Sequence, residues 1–322
     1  MLNIRRLAQS VVVGLGVLVG GHAMTAAADT VIRIGGTGNY GPVIPVIAAQ
    51  ELGLFEKAGV TVEFTNYAGG AASMEGLAAG EADLINYFPP GLALAKRGGV
   101  NARIVGAGTL TPRGWHLVVK PDSELTELSD LDGKRVGITA NGSTTDFFAL
   151  WAADAGNAEI VRVPLGGAGL VPNLLSNNVD AIVAYPPLSY GLLLSEDGRS
   201  LIHFGEAMEP NLPDVWAASQ DIIDREPEAL RNALTGLYSA IAYMQANRDW
   251  SIDFLVRQTG MERNVAEAEY ENTILGLSSD GSFEHDWVAA SLSLGLLAGL
   301  SDLPAPEDMY DDDFIPVSTI EP

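Results

Sequence analysis

The chain has 322 residues, with 41 acids against 18 lysines and arginines, no cysteine, and a net charge of −23 at pH 7. A surface that acidic repels nucleic acid and anionic lipid, which removes both as partners. The missing cysteines exclude disulfides, thiolate metal sites, a cysteine nucleophile and a lipidated N-terminal cysteine.

The first stretch reads as a leader rather than as part of a fold. Met1–Arg6 carries two arginines and no acid, and Leu7–Gly21 is apolar apart from Gln9, Ser10 and glycines. Ala26-Ala27-Ala28 then supplies small residues for cleavage before Asp29, completing the pattern of a secretory signal peptide over residues 1–28. Its apolar run falls short of the ~20 residues that a membrane span needs. Further along, Leu292–Leu300 is also too short and is broken by glycine. Cleavage would leave 294 residues and a net charge of −25, a length that exceeds one comfortable core and predicts two lobes. With no cysteine to take a lipid anchor, the expected location is the periplasm of a Gram-negative cell.

Short apolar strands then alternate with helical segments. Val31–Ile34 reads as a strand, followed by the loop Gly35–Pro42 and a helix over Pro45–Ala58, where Val46, Ala49, Leu52 and Phe55 recur at spacing three. Val60–Phe64, Asp83–Asn86 and Arg103–Gly106 are strand-like, with helices over Ala72–Ala79 and Gly91–Arg97 between them. A second run of the same kind follows. It has strands at Trp115–Lys120, Arg135–Thr139, Ile160–Val163, Asp180–Ala184 and Leu201–Phe204, and helices at Leu125–Leu131, Thr144–Ala155 and Gly169–Ser176. From Glu226 the chain is mostly helical, over Pro227–Asn247, Trp250–Thr259 and His285–Leu300, and the acidic tail at Asp311–Asp313 is expected to be loosely held. This order predicts an α/β chain with parallel, doubly wound sheets. The chain is expected to cross between two lobes near residues 111–116 and 205–217, which gives one lobe of 29–112 plus 213–322 and a second of 113–212.

Several segments, in order, carry a family resemblance. Glu51–Val60 (ELGLFEKAGV) resembles a G-x-F-E-K-x-G-L helix-to-strand step, and Gly69-Gly70 with Gly80-Glu81-Ala82-Asp83 resembles G-G … G-x-A-D. Leu117–Ser123 and Leu128–Gly137 resemble L-V-V-K-x-D-S … L-x-D-L-x-G-K-x-V-G. Gly142-Ser143 and Val179-Asp180-Ala181 with Pro186 follow at the expected places. Over roughly residues 31–245 the chain resembles periplasmic substrate-binding proteins of the nitrate, sulfonate and taurine type, which share a domain with yeast thiamine-pyrimidine synthase. The resemblance implies a two-lobed type II periplasmic binding protein fold, its doubly wound sheets joined by crossing strands, with a ligand clamped between the lobes. It also implies delivery of that ligand to an ABC permease in the inner membrane, served by a cytoplasmic ATPase, by a monomer that is not an enzyme and has no cofactor. A sulfonate-like anion leads among ligands. An aromatic or heterocyclic solute such as an aminopyrimidine is the alternative.

Ligand sites in open α/β sheets lie at the carboxyl ends of strands. That rule selects Thr37, Asn39 and Tyr40 in the first loop, Gly69 and Gly70, Asn86 and Tyr87, Trp115, Tyr185, and Trp216 on the return crossing. It also selects Gly142, Ser143, Thr144, Thr145 and Asp146, which open a helix whose N–H groups and hydroxyls suit an anion. Taken alone, Ser143 or Thr144 serving only as a helix cap is the plainer reading of those residues, and the family resemblance reverses that order in favour of the anion seat. Asp146 reads two ways: facing the cleft it favours an amine, and facing solvent it complements the helix dipole. The aromatic side chains suit a flat ring or an ammonium, although half of them are as readily core residues. Arg113 is the one cation expected near the cleft. His116 sits in a strand pattern with no paired base or nucleophile, so it is read as structural, and no His or Cys cluster suggests a metal. Two rivals remain. One is a pyrimidine-synthase-like enzyme, which would need its own active-site histidine and a Cys-rich motif. The other is a sensor that presents bound ligand to a membrane receptor.

Overall fold

The computed structural model describes residues 30–322. The expected leader lies outside the described residues. In chain order come β1 (Val31–Gly36), α1 (Ile44–Glu51), α2 (Leu54–Lys57), β2 (Thr61–Asn66), α3 (Gly70–Ala78), β3 (Leu84–Tyr87), α4 (Pro89–Arg97) and β4 (Ala102–Ala107). After a first crossing come β5 (His116–Val119), β6 (Arg135–Ile138), α5 (Thr144–Ala155), β7 (Val161–Pro164), α6 (Leu170–Leu175), β8 (Ala181–Ala184), α7 (Leu188–Leu194), β9 (Arg199–His203) and α8 (Phe204–Ala207). A second crossing leads to β10 (Val215–Ser219), α9 (Gln220–Arg225), α10 (Pro227–Ala246), α11 (Arg248–Thr259), α12 (Arg263–Asn272) and α13 (His285–Leu297).

These strands form two five-stranded sheets of matching order, β2-β1-β3-β10-β4 and β7-β6-β8-β5-β9. The expectation of wholly parallel sheets is corrected: β10 runs antiparallel to β3 and β4, and β5 runs antiparallel to β8 and β9. Both odd strands are the first that the chain forms after a crossing. The chain then enters the new sheet from the opposite end, whereas helical crossovers return it parallel.

Period-two burial builds both cores. Leu117, Val119, Ala181 and Val183 face one side of the second sheet, while Val118, Ile182 and Ala184 face the other. One device recurs in both sheets. The backbone N–H and Nε of Arg33 donate to Asp83 Oδ2, each at 2.9 Å, and Asp83 N–H returns a bond to the Arg33 carbonyl at 2.8 Å. Arg135 and Asp180 repeat this at 2.8, 3.1 and 2.8 Å. Each acid therefore pins the turn before its own strand, β3 or β8, to the neighbouring parallel strand, β1 or β6. This accounts for the G-x-A-D and V-D-A segments without any ligand.

Three local expectations change. The helix expected over Pro45–Ala58 is split at Gly53, whose φ of 66° lies in the left-handed region that ends a helix. Residues 125–131 form only a short 3-10 turn at Leu128–Leu131. The acidic tail is not loose. Asp311 N–H donates to Ile104 O at 2.9 Å, Val317 N–H to Asp280 O at 2.7 Å, and Ile320 N–H to Ser239 Oγ at 2.8 Å. Phe314 is buried beneath the Arg231 guanidinium, so an apolar anchor directly after the acidic run holds the tail.

Candidate functional site

Between the two sheets lies a half-open cavity whose empty space, with the solvent at its mouth included, is about 540 Å³. The first sheet and its helices contribute Thr37, Tyr40, Val43, Gly69, Gly70, Asn86, Tyr87 and Asp214, and the second contributes Thr139, Ser143, Thr144, Thr145 and Tyr185, with Trp115 on the crossing. Eleven residues expected from strand ends are brought together here: Thr37, Tyr40, Gly69, Gly70, Asn86, Tyr87, Trp115, Ser143, Thr144, Thr145 and Tyr185.

The second-sheet wall is a cluster of hydroxyls. Thr139 Oγ1 donates to Ser143 Oγ at 2.9 Å, Ser143 and Thr145 lie 2.7 Å apart, and Thr139 and Thr145 lie 3.0 Å apart. Ser143 caps α5 by accepting from the Asp146 N–H, at a long 3.4 Å. The cap reading and the cleft-lining reading therefore hold for the same residue. Hydroxyls that bond one another can turn their protons toward an incoming acceptor, and the positive end of α5 favours a negative one.

The opposite wall carries a buried acid. Asp214 is 2% exposed and accepts hydrogen bonds from Asn86 Nδ2 at 3.0 Å, Thr109 N–H at 3.2 Å, Tyr40 OH at 3.2 Å and the Thr109 hydroxyl. Burial pushes its carboxyl pKa up, and the donors from Asn86, Thr109 and Tyr40 oppose that shift. Between the walls stand three neighbouring rings, Tyr40 edge-on to the other two and Trp115 tilted against Tyr185. Tyr40 meets Trp115 at 6.1 Å and Tyr185 at 5.8 Å, and Trp115 meets Tyr185 at 5.7 Å. Burial raises the Tyr40 and Tyr185 phenols and pushes Tyr87 up to about 12, so all three keep their protons as donors at neutral pH. Tyr87 OH donates to Gly142 O at 3.2 Å and so links β3 to the loop before α5.

Four expected residues do not line this cavity. Asp146 is 3% exposed and is committed elsewhere: Arg162 Nη1 lies 2.6 Å from Oδ1 and Gly142 N–H donates to Oδ2 at 2.8 Å. Gly142 thus spends its N–H on Asp146 and its carbonyl on Tyr87. Its φ of 76° supplies the left-handed turn before the cap. Trp216 is fully buried in the core beneath the first sheet, because Val215 and Ala217 take the other face of β10. Asn39 lies on an outer groove that also includes Leu165, Leu188 and Met261. Arg113 is displaced too. It lines a separate cavity with His116, His203 and Tyr190, where His116 stacks on His203 at 4.5 Å and burial lowers its pKa to about 4.

Val43, Thr139 and Asp214 line the cavity without having been anticipated. Thr139 ends a strand pattern directly before the Gly142-Ser143 loop, a signal that was present. Asp214 precedes Trp216 on the return crossing, and the large aromatic drew the assignment that belongs to the acid. Among the described residues no group of three or more His, Cys, Asp or Glu is arranged to hold a metal ion, and no helix is long and apolar enough to cross a membrane.

The chain is similar to known proteins. A putative binding protein of Brucella abortus is 23% identical over 302 residues, covering 90% of this chain and 93% of its own. The taurine-binding periplasmic protein of Escherichia coli is 26% identical over 196 residues, 58% of this chain and 59% of its own. The alkanesulfonate-binding protein SsuA from Xanthomonas axonopodis pv. citri, solved bound to MOPS, superposes with a TM-score of 0.75 at 20% identity, covering 87% of this chain and 96% of that one. That superposition establishes the periplasmic binding protein fold. The NMT1/THI5-like family model matches residues 42–250, and the chain belongs to that family.

Proposed function

We propose that this chain is the periplasmic solute-binding component of an ABC importer, and that its solute is small, anionic at one end and amine-bearing at the other, as in an aminosulfonate. Residues 29–112 with 213–322 act as one lobe and 113–212 as the second. The lobes close on the solute by hinge motion, and the closed form docks on a permease. The observation that carries this reading is the bipolar cavity. A buried carboxylate, Asp214, sits on one wall and a hydroxyl cluster at a helix N-terminus on the other, with no cation among the lining residues. A plain anion would meet the Asp214 charge without compensation. An ammonium group would give that carboxylate the partner that burial denies it. The sulfonate and taurine relatives agree with the anionic half.

Calorimetric titration with taurine, ethanesulfonate and ethanolamine tests the reading. Taurine should bind at least tenfold tighter than either single-ended probe, since a hydrogen bond to a charged group contributes about 1.5–3 kcal/mol. Equal binding of ethanesulfonate and taurine would overturn the amine half.

The ring cluster of Tyr40, Trp115 and Tyr185 supports a second reading, an aminopyrimidine stacked between lobes with its amine on Asp214. Tighter binding of an aminopyrimidine than of taurine would select it. The pyrimidine-synthase-like enzyme is disfavoured by the absence of any cysteine and by His116 and His203 lying in a separate cavity.

A further inference from the structure

Beneath the ligand loop lies a second buried acid that the cavity does not use. Glu269 on α12 is 0% exposed, and its Oε1 has no hydrogen-bond partner. Its Oε2 accepts from Thr273 Oγ1 at 3.2 Å. The Thr273 hydroxyl in turn shares a 3.1 Å hydrogen bond with Tyr190 OH on α7, so the seam between the two lobes closes directly over this carboxyl group. On the cavity side the backbone presses down on it. A Cβ added to Gly41 would lie 1.9 Å from Oε1, and Gly41 follows Tyr40, the residue that donates to Asp214.

We propose that lobe closure is coupled to one proton carried by Glu269: the closed form takes up a proton that the open form releases. This rests on the hinge-closing reading given above. The groups that face Glu269 are the phenols of Tyr40 and Tyr190 and the hydroxyl of Thr273, and α7 carries no charged residue. Arg113, on the crossing, acts on Tyr190. The charged residues of α11 are paired elsewhere: Arg248 with Glu271 and Asp249, Asp253 with Arg263, and Arg257 with Glu51. An ionised Glu269 in the closed form would therefore be a buried charge with one hydroxyl donor, which is strongly unfavourable. Burial pushes its pKa up to about 8, against a small opposing pull from Thr273. When the Tyr190–Thr273 contact parts, the cavity lined by Arg113, Tyr190, His203 and Asn272 admits water, and the carboxyl returns to the ordinary acid range.

The sign follows from linkage. The closed form holds the proton more tightly than the open form. Its advantage is complete below the ordinary carboxyl pKa, shrinks by up to tenfold per pH unit as the pH rises, and levels off above about 8.

The test uses the absence of native cysteines. Exposed Ser195 and Glu262 line the outer groove, one from each lobe, and Ser195→Cys with Glu262→Cys accepts a pair of spin labels. Pulsed dipolar spectroscopy of the solute-free protein at pH 5.5, 7 and 9 should show the short-distance population falling as the pH rises. Glu269→Gln and Glu269→Met should each hold it constant, and either variant suffices if the other fails to fold. A pH response that persists in these variants overturns the proposal. So does a wild-type distribution that ignores pH while excess taurine shortens the distance, an outcome that leaves hinge closure intact. Distances that respond to neither pH nor taurine would defeat the closing reading and this coupling together.

Discussion

Arg162 on β7 holds the carboxylate of Asp146 on α5 at 2.6 Å, and this pair takes Asp146 out of the ligand cavity. The same carboxylate accepts from Gly142 N–H, so one side chain fixes both the loop and the first turn of the helix that presents the hydroxyl cluster. Asp146→Asn keeps the shape and an acceptor for Gly142 but removes the charge. Stability should fall by about 1.5–3 kcal/mol in urea unfolding, while solute affinity changes by no more than a few fold. A large affinity loss at unchanged stability would place the carboxylate back in the cleft.

Replacing Ser143 and Thr144 together with alanine tests the hydroxyl wall. Loss of two donors to a charged group should weaken binding by at least an order of magnitude, at roughly 1.5–3 kcal/mol each. Because Ser143 also caps α5, stability should fall by about 1 kcal/mol. Calorimetry and thermal unfolding separate the two effects, and unchanged affinity would reduce both residues to caps.

Asp214→Asn addresses the other wall without changing volume. Taurine binding should weaken by at least tenfold, whereas ethanesulfonate should bind equally well or better, because a buried negative charge has been removed. Equal losses for both probes would point to a collapsed network around Tyr40 and Asn86 instead.

The same acid predicts a pH dependence. Burial raises the Asp214 pKa, so its ionised form, the one that pairs with an amine, is lost on acidification at a pH above the ordinary carboxylate range. Taurine affinity should drop there, and in Asp214→Asn that step should vanish. The stability term has the opposite sense: a raised carboxyl favours the folded state most at low pH, and this contribution declines as the pH rises through the folded-state pKa.

The leader makes an independent prediction. N-terminal sequencing of protein recovered from the periplasm should begin at Asp29 or within a residue or two of it. Full-length chain found only in the cytosol would refute export.

Much of the fold was legible because its causes are local. Period-two runs such as Leu117–Val119, helix signals such as Ser143 before Thr144–Ala155, and the alternation of the two set the elements and their class. Strand ends likewise collected most of the cavity lining, since loops at carboxyl ends converge whatever their side chains do. The side-chain partners were decided elsewhere. Asp214 reaches Tyr40 and Asn86 across 174 and 128 residues, and Glu269 meets Tyr190 through Thr273 only where two lobes press together. Whether Trp216 faces the core or the cavity depends on which side of β10 its neighbours β3 and β4 present, and a single strand does not specify that. Sequence spacing constrains neighbours along one helix or strand. The charge partners of Asp146, Asp214 and Glu269 are set by through-space burial, which exists only after the chain has crossed between its sheets twice.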